Sequence, residues 1–308
     1  MYYFTNLIGT FILDNKLKVI DSLSFKNVEE YSQRENKEKQ LIKKHQAGSL
    51  PENKLPQVLS LFKNQKYYSE FFLKNLQLTK QSIKESVNED NLIIQTIANI
   101  NELDRISNTL VKRLREWYSL YFPELAESVQ SHEKFVELVS TKTRSQLLKD
   151  LHLEVAMGAD LADEHLEEMH LLAKEVSSLY ELRNKHEDYL KKIMEKYCPN
   201  LNELAGTTIG AKLIELGGSL KHLAMLPAST IQLLGAEKAL FRHIKTGSKS
   251  PKYGVIINHP LIQDAKKDEK GKASRMLADK LSLCARLDFF KGEFKAKEYR
   301  KELEEKLR

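Results

Sequence analysis

Cysteine is almost absent. Cys198 and Cys284 stand far apart, in no CxxC and no Cys/His cluster, which excludes a disulfide framework and a structural zinc and fits a reducing compartment. No apolar run approaches the roughly 20 residues a membrane-spanning helix needs. The apolar stretch from Met1 to Leu13 lacks a basic segment and soon meets Asp14, unlike a secretion signal, so a soluble intracellular protein is expected. Glycine and proline are scarce through the middle of the chain. Between Gly48 and Gly206 there is only Gly158, and between Pro123 and Pro199 there is no proline, which leaves this interval free to be helical with one break at its centre. Acidic residues vanish further on: no Asp or Glu lies between Glu237 and Asp264, a run holding Lys238, Arg242, Lys245, Lys249 and Lys252.

What is present is arranged asymmetrically. The net charge is +6 over 308 residues. Residues 201–308 hold 21 Lys and Arg against 13 Asp and Glu, whereas residues 1–200 hold 28 against 30. One end of the chain is therefore composed to meet a polyanion.

Catalytic motifs are missing. Gly206-Thr207-Thr208-Ile209-Gly210-Ala211-Lys212 is one residue short of a phosphate-binding loop, has no Ser or Thr after its lysine and follows no buried strand. His165 and His170 are five apart, off the i, i+4 spacing for one metal. There is no G-x-G-x-x-G after a strand, no G-x-S-x-G and no Cys/His nucleophile context. The glutamates of 164–175 read as a solvated helix face. No enzyme activity, cofactor or metal is expected.

The texture divides the chain into 1–90, 91–200 and 201–308. In the first part, Phe11-Ile12-Leu13 and Leu17-Lys18-Val19-Ile20 read as strands about an Asp14-Asn15 turn, followed by a charged helix from Val28 to near Gly48; helical spacing resumes from Val58 to Leu76. This is a small α+β unit. From Leu161 to Tyr197 apolar residues recur at 3–4 spacing, with Arg183 and His186 interrupting the stripe. Such a helix needs a partner. Glu124 to Val155 is expected to supply it as a second helical segment, with Met157-Gly158-Ala159-Asp160 as the tip and Asp160 as N-cap, giving either an ordinary bundle or a protruding hairpin that self-associates. After Pro199 the glycines at 206, 210, 217 and 218 mark a domain of short helices, and Ala273 to Asp288 is its last clear amphipathic helix.

Within that last domain, Leu226 to Phe241 combines a short apolar helix, the Gly235 pivot and a second helix. The paired segments around Gly217-Gly218 and Gly235 resemble helix-hairpin-helix elements, in which a glycine turn lets backbone N–H groups face a phosphate, with Lys238 and Arg242 one turn apart to reinforce the contact. The alternative is that Gly235 only permits helix crossing while Glu237 caps its own helix. Tyr253 to Ile257 reads as a strand-like run ending at His259, a ring able to stack on an unpaired base or to serve as a buried cap.

Leu226–Phe241 also resembles, nearly position for position, the signature of the Nop-domain family. Arg115-Glu116-Trp117-Tyr118, Phe122-Pro123-Glu124-Leu125, Ala211-Lys212-Leu213-Ile214, Tyr253-Gly254-Val255-Ile256, Lys272-Ala273-Ser274-Arg275 and Ala285-Arg286-Leu287-Asp288 are similar to its other landmarks, in the family's order. The resemblance spans roughly 105–295; residues 1–90 fit by position and texture only. It implies a mainly α fold: a small α+β N-terminal domain that docks the methyltransferase fibrillarin, a long antiparallel coiled-coil hairpin that pairs two copies, and an all-helical C-terminal Nop domain. That domain would clamp a box C/D guide RNA at its kink-turn, already carrying a small ribosomal-type protein. The implied role is a scaffold for RNA-guided 2′-O-methylation in rRNA processing, with methyl chemistry and S-adenosylmethionine left to fibrillarin. By motif, the RNA-facing candidates are Gln232, Gly235, Ala236, Glu237, Lys238, Arg242, His259 and Arg275; Lys245 and Lys249 join them on charge alone. Ser119 and Tyr121 depart from the family's frequent Gly and His, and the Lys/Glu-rich tail of many eukaryotic members is missing. An archaeal cytoplasmic version is therefore expected over a nucleolar one. A spliceosomal Nop-domain particle and a structure-specific DNA-binding protein remain the alternatives.

Overall fold

Gly9-Thr10-Phe11-Ile12-Leu13 is buried at every position, the pattern of a strand covered on both sides. In the computed structural model, which describes residues 1–307, this strand is one of the two inner strands of a four-stranded sheet. Strands β1 (Tyr2–Thr5), β2 (Gly9–Leu13), β3 (Val19–Ser24) and β4 (Gly48–Ser49) lie in the order β3-β2-β1-β4, antiparallel except for the β1–β4 pair. Of the two strands expected from sequence, Phe11–Leu13 lies within β2, while Leu17–Ile20 meets β3 only at Val19 and Ile20, Leu17 lying in the turn at φ +60°. Strand β1 leaves no such mark in the sequence, since its side chains are uniformly half-buried. Helices α1 (Val28–Ser32), α2 (Glu35–His45), α3 (Leu55–Phe62) and α4 (Gln65–Ser86) complete the unit Met1–Asn88. The stretch 58–76 is thus two helices, since Asn64 caps α4 by accepting from the Lys66 amide. Phe11 packs on Phe62 with centroids 4.7 Å apart, and Ile8, Leu13 and Val58 close the small core around them.

A second unit begins at Glu89. Its frame is α5 (Glu89–Tyr118) with α9 (Asp163–Tyr197), about 45 and 52 Å long at 1.5 Å per residue. The two run antiparallel: Arg183 pairs with Asp104 at 3.2 Å, while His186, further along α9, meets Asn99, earlier on α5, at 2.7 Å. The residues that interrupt the apolar stripe are therefore the ones that bind across the seam. Arg183 also reaches Glu133 at 2.7 Å, and these carboxylates hold its guanidinium above its ordinary value against the pull of burial.

The long pair is not formed by the segment 124–155, contrary to expectation. That segment folds as α6 (Pro123–Ser128), α7 (His132–Thr141) and α8 (Arg144–Asp150), and α5 takes its place beside α9. The breaks have local causes: Ser131 accepts from the Lys134 amide, and Thr143 with Gln146 forms a capping box. Arg115 secures the first break, donating to the carbonyls of Ala126 at 2.8 Å and Val129 at 2.6 Å while lying over the Phe135 ring. Gly158 packs where a Cβ would overlap the Tyr121 carbonyl oxygen, so it is a close-approach position and not a free tip. Asp160 is no N-cap; it pairs with Arg144 at 2.7 Å, and α9 starts after Ala162.

Helices α10 (Pro199–Ala205), α11 (Thr207–Gly217), α12 (Leu220–Met225), α13 (Ala228–Leu233), α14 (Glu237–Thr246), α15 (Pro260–Gln263), α16 (Lys270–Phe289) and α17 (Ala296–Leu307) finish the unit. Packing does not break at residue 200. Ile93, Ile97 and Ile100 of α5 and Leu190 and Met194 of α9 share one core with Leu213, Ile214, Leu277 and Leu281. Two buried carboxylates fasten short helices to this core: Asp288 accepts from the Asn200 and Leu201 amides at 3.0 and 2.8 Å, and Asp90 accepts from the Leu220 amide at 3.0 Å. Among the described residues no helix is long and apolar enough to cross a membrane, and no cluster of His, Cys, Asp and Glu could hold a metal.

Candidate nucleic-acid interface

Leu234 leads into Gly235, whose φ of +87° is the left-handed conformation that glycine alone adopts without strain. The turn this allows sets α14 off from the core: none of its residues is buried. At about 100° per residue, Leu240, Ile244 and Phe241 share one arc of the helix and Lys245, Lys238 and Arg242 the arc beside it. Phe241 is 63% exposed and Ile244 69%, a large apolar surface for an unpartnered helix face. Lys238, Arg242, Lys245 and Lys249 are all exposed, and none forms an ion pair among the described residues. The helix ends at Gly247 in the left-handed region, and the His243 ring bonds the Ser248 carbonyl.

The turn itself is partly self-satisfied. Glu237 Oε1 accepts from the Gly235 amide at 2.7 Å, and the Ala236 amide donates to Leu233 O at 2.9 Å. Neither amide is thus directed at a phosphate; the first-turn amides of α14, from Glu237 on, remain for that. Glu237 ties back the turn before the helix and makes no cap bond to the amides of α14, so it does not cap its own helix as the alternative sequence reading had it.

Gln232 and Arg275 sit together elsewhere. Both line a cleft of about 500 Å³ between α13, residues 250–252 and the start of α16. The cleft wall is held by backbone pairing: the Gly254 amide donates to Gln232 O and the Val255 amide to Leu234 O, both at 2.7 Å. A Cβ on Gly254 would overlap the Leu234 carbonyl oxygen. The run after Tyr253 is a 3-10 turn, Val255–Asn258, instead of the expected strand.

His259 is not at the surface. It is 4% exposed, its Nε2 bonds Leu204 O at 2.9 Å, and its Nδ1 accepts from the Leu261 amide at 3.3 Å at the start of α15. Burial lowers its pKa, so the neutral ring that these bonds require is favoured. With both nitrogens engaged and no face open, it caps α15 and cannot stack on a base.

Known proteins resemble the chain along this region. Residues 99–308 match the profile of the Nop family, described as a snoRNA binding domain, fibrillarin. The chain belongs to that family. An uncharacterized NOP5 family protein of Methanocaldococcus jannaschii is 42% identical over 275 residues, covering 82% of this chain and 66% of the relative. Nucleolar protein 56 of Schizosaccharomyces pombe is 40% identical over 234 residues, covering 69% and 47%. The chain thus spans about half to two thirds of the length of these relatives. A chain in the crystal structure of a fibrillarin/Nop5p complex aligns over 99% of this chain and 100% of that one at 25% identity, with a TM-score of 0.47.

Proposed function

We propose that the chain is an RNA-binding scaffold of a box C/D ribonucleoprotein that directs 2′-O-methylation. The observation that carries this is α14, an unburied helix whose cations, Lys238, Arg242 and Lys245, have no carboxylate partner among the described residues and adjoin an exposed apolar arc. A cationic arc on a helix serves phosphates. The adjoining apolar arc serves a protein surface, so the helix is suited to an RNA that already carries a protein. The kink-turn and its small ribosomal-type binding protein are the proposed composite ligand. Fibrillarin is the proposed partner of the first unit and would perform the chemistry, this chain contributing no catalytic residue. Two copies are proposed to pair through the outward face of α9, where Leu171, Leu182 and Tyr189 are exposed.

Gel shifts on a kink-turn guide RNA, with and without the small protein, test the reading. Tight binding is expected only to the RNA–protein complex. Equal binding to any duplex of the same length would instead favour a structure-independent nucleic-acid binder.

A further inference from the structure

Where α9 gives way to α10, a cleft of about 580 Å³ opens that the RNA-binding reading does not use. Its wall is largely apolar, formed by Tyr197, Pro199, Leu220, Leu287, Phe289 and Phe294. The floor is pre-formed. Asp288 accepts from the Asn200 and Leu201 amides and from Asn200 Nδ2, and Asn200 Oδ1 accepts from the Lys295 and Ala296 amides at 2.7 and 3.1 Å. The Tyr197 hydroxyl is bonded to Asp90. The buried polar groups are thus spent on one another, and whatever enters the cleft must be apolar.

The rim has a different composition. Phe290 is 71% exposed and stands edge to face with Phe289 at 4.9 Å, and Phe294 is 48% exposed, so apolar surface continues outside the cleft. A small molecule filling the cavity would leave that surface bare, whereas a protein segment would cover it. Lys196 and Lys291 line the rim, and Lys297 lies 6.0 Å from the Phe294 ring centroid. All three are exposed, and none is ion-paired among the described residues. Lys291 takes the left-handed position that ends α16, at φ +53°, where glycine would sit without strain. A strained backbone therefore sets one of these cations at the cleft's edge.

We propose that this cleft docks an acidic protein segment: one aromatic or long aliphatic side chain enters between Tyr197, Phe289 and Phe294, and carboxylates beside it meet Lys196 and Lys291. The three cations set the charge of the partner, and the apolar wall sets its anchor. A nucleic-acid strand fits less well, because the floor offers a phosphate no free donor and Glu89 lines the same rim. The site is independent of the RNA-binding reading above.

The test titrates the full chain, by fluorescence anisotropy, into two labelled peptides: a phenylalanine between two pairs of glutamates, and the same peptide with alanine at its centre. The native chain is expected to bind the phenylalanine peptide about tenfold more tightly than the alanine peptide. Phe294→Ala, and separately Lys196→Gln with Lys291→Gln, should each weaken that binding about tenfold. These side chains are exposed, so the melting temperature should not move. An unlabelled oligouridylate is added as competitor and is expected to leave the bound peptide in place. Equal affinity for the two peptides, or native affinity in both variants, overturns the docking site. Displacement of the peptide by oligouridylate at an equal concentration overturns it too, and makes the rim a nucleic-acid contact instead.

Discussion

At the scale of single residues, the buried carboxylates decide whether the short helices stay docked. Asp288 satisfies two backbone amides and the Asn200 side chain from inside the core. Removing it in Asp288→Ala leaves those donors buried and unpaired, at a cost of about 2–3 kcal/mol in urea unfolding. Burial holds the Asp288 carboxyl above its ordinary value, its hydrogen bonds opposing this only in part. The folded state therefore binds the proton more tightly than the unfolded state. The stability this group contributes is present below the ordinary carboxylate range and falls as pH rises through the folded value. Relative to Asp288→Asn, the native chain should be most stable at the acid end of that window; a difference growing with pH would contradict the assignment. Gly254 is as constrained for a steric reason, and Gly254→Ala should destabilise by about 1–3 kcal/mol through the clash with Leu234 O. His259 shows the limit of reading residues alone. An apolar run before a histidine looks the same whether the ring faces solvent or Leu204 O, which lies 55 positions away.

At the scale of elements, periodicity identified what packing along a whole face determines. The apolar spacing of α9 and α16 is regular, and their buried residues, Val176, Leu190 and Met194 in one and Leu277, Leu281 and Cys284 in the other, follow it. The partner of α9 was illegible for the same reason that Arg183 seemed to be an interruption: Asp104, Asn99 and Glu133, which turn those polar positions into contacts, are distant in sequence. The break between α6 and α7 depends on a latch, Arg115, that periodicity cannot register. Replacing it in Arg115→Met should leave α5 and α9 folded but reduce hydrogen-exchange protection across 123–150, since four carbonyls of residues 126–131 lose their donor. Uniform loss of protection over the unit would show that α6–α8 fold with the rest. The Thr143–Gln146 capping box is a local cause of the second break, carried by residues three apart.

At the scale of the whole molecule, charge is segregated from chemistry. Within the positive end the cations of α14 are exposed and form no ion pair among the described residues, whereas Arg183 at the α5–α9 seam is paired with Asp104 and Glu133. If copies pair through α9, Leu171→Asp with Leu182→Asp should give a monomer by light scattering, both positions being exposed and harmless to the fold; a persistent dimer would move the seam elsewhere. The candidate site was legible in part: the acid-free run marked α14, but the cleft formed with Lys252 and Lys272 needed the fold. The salt dependence of binding to kink-turn RNA with its small protein, compared between the native chain and Lys238→Ala with Arg242→Ala, is the most direct measurement. Two lost phosphate contacts should flatten the slope of log K against log salt by about two units. Identical slopes would mean that α14 does not meet the RNA.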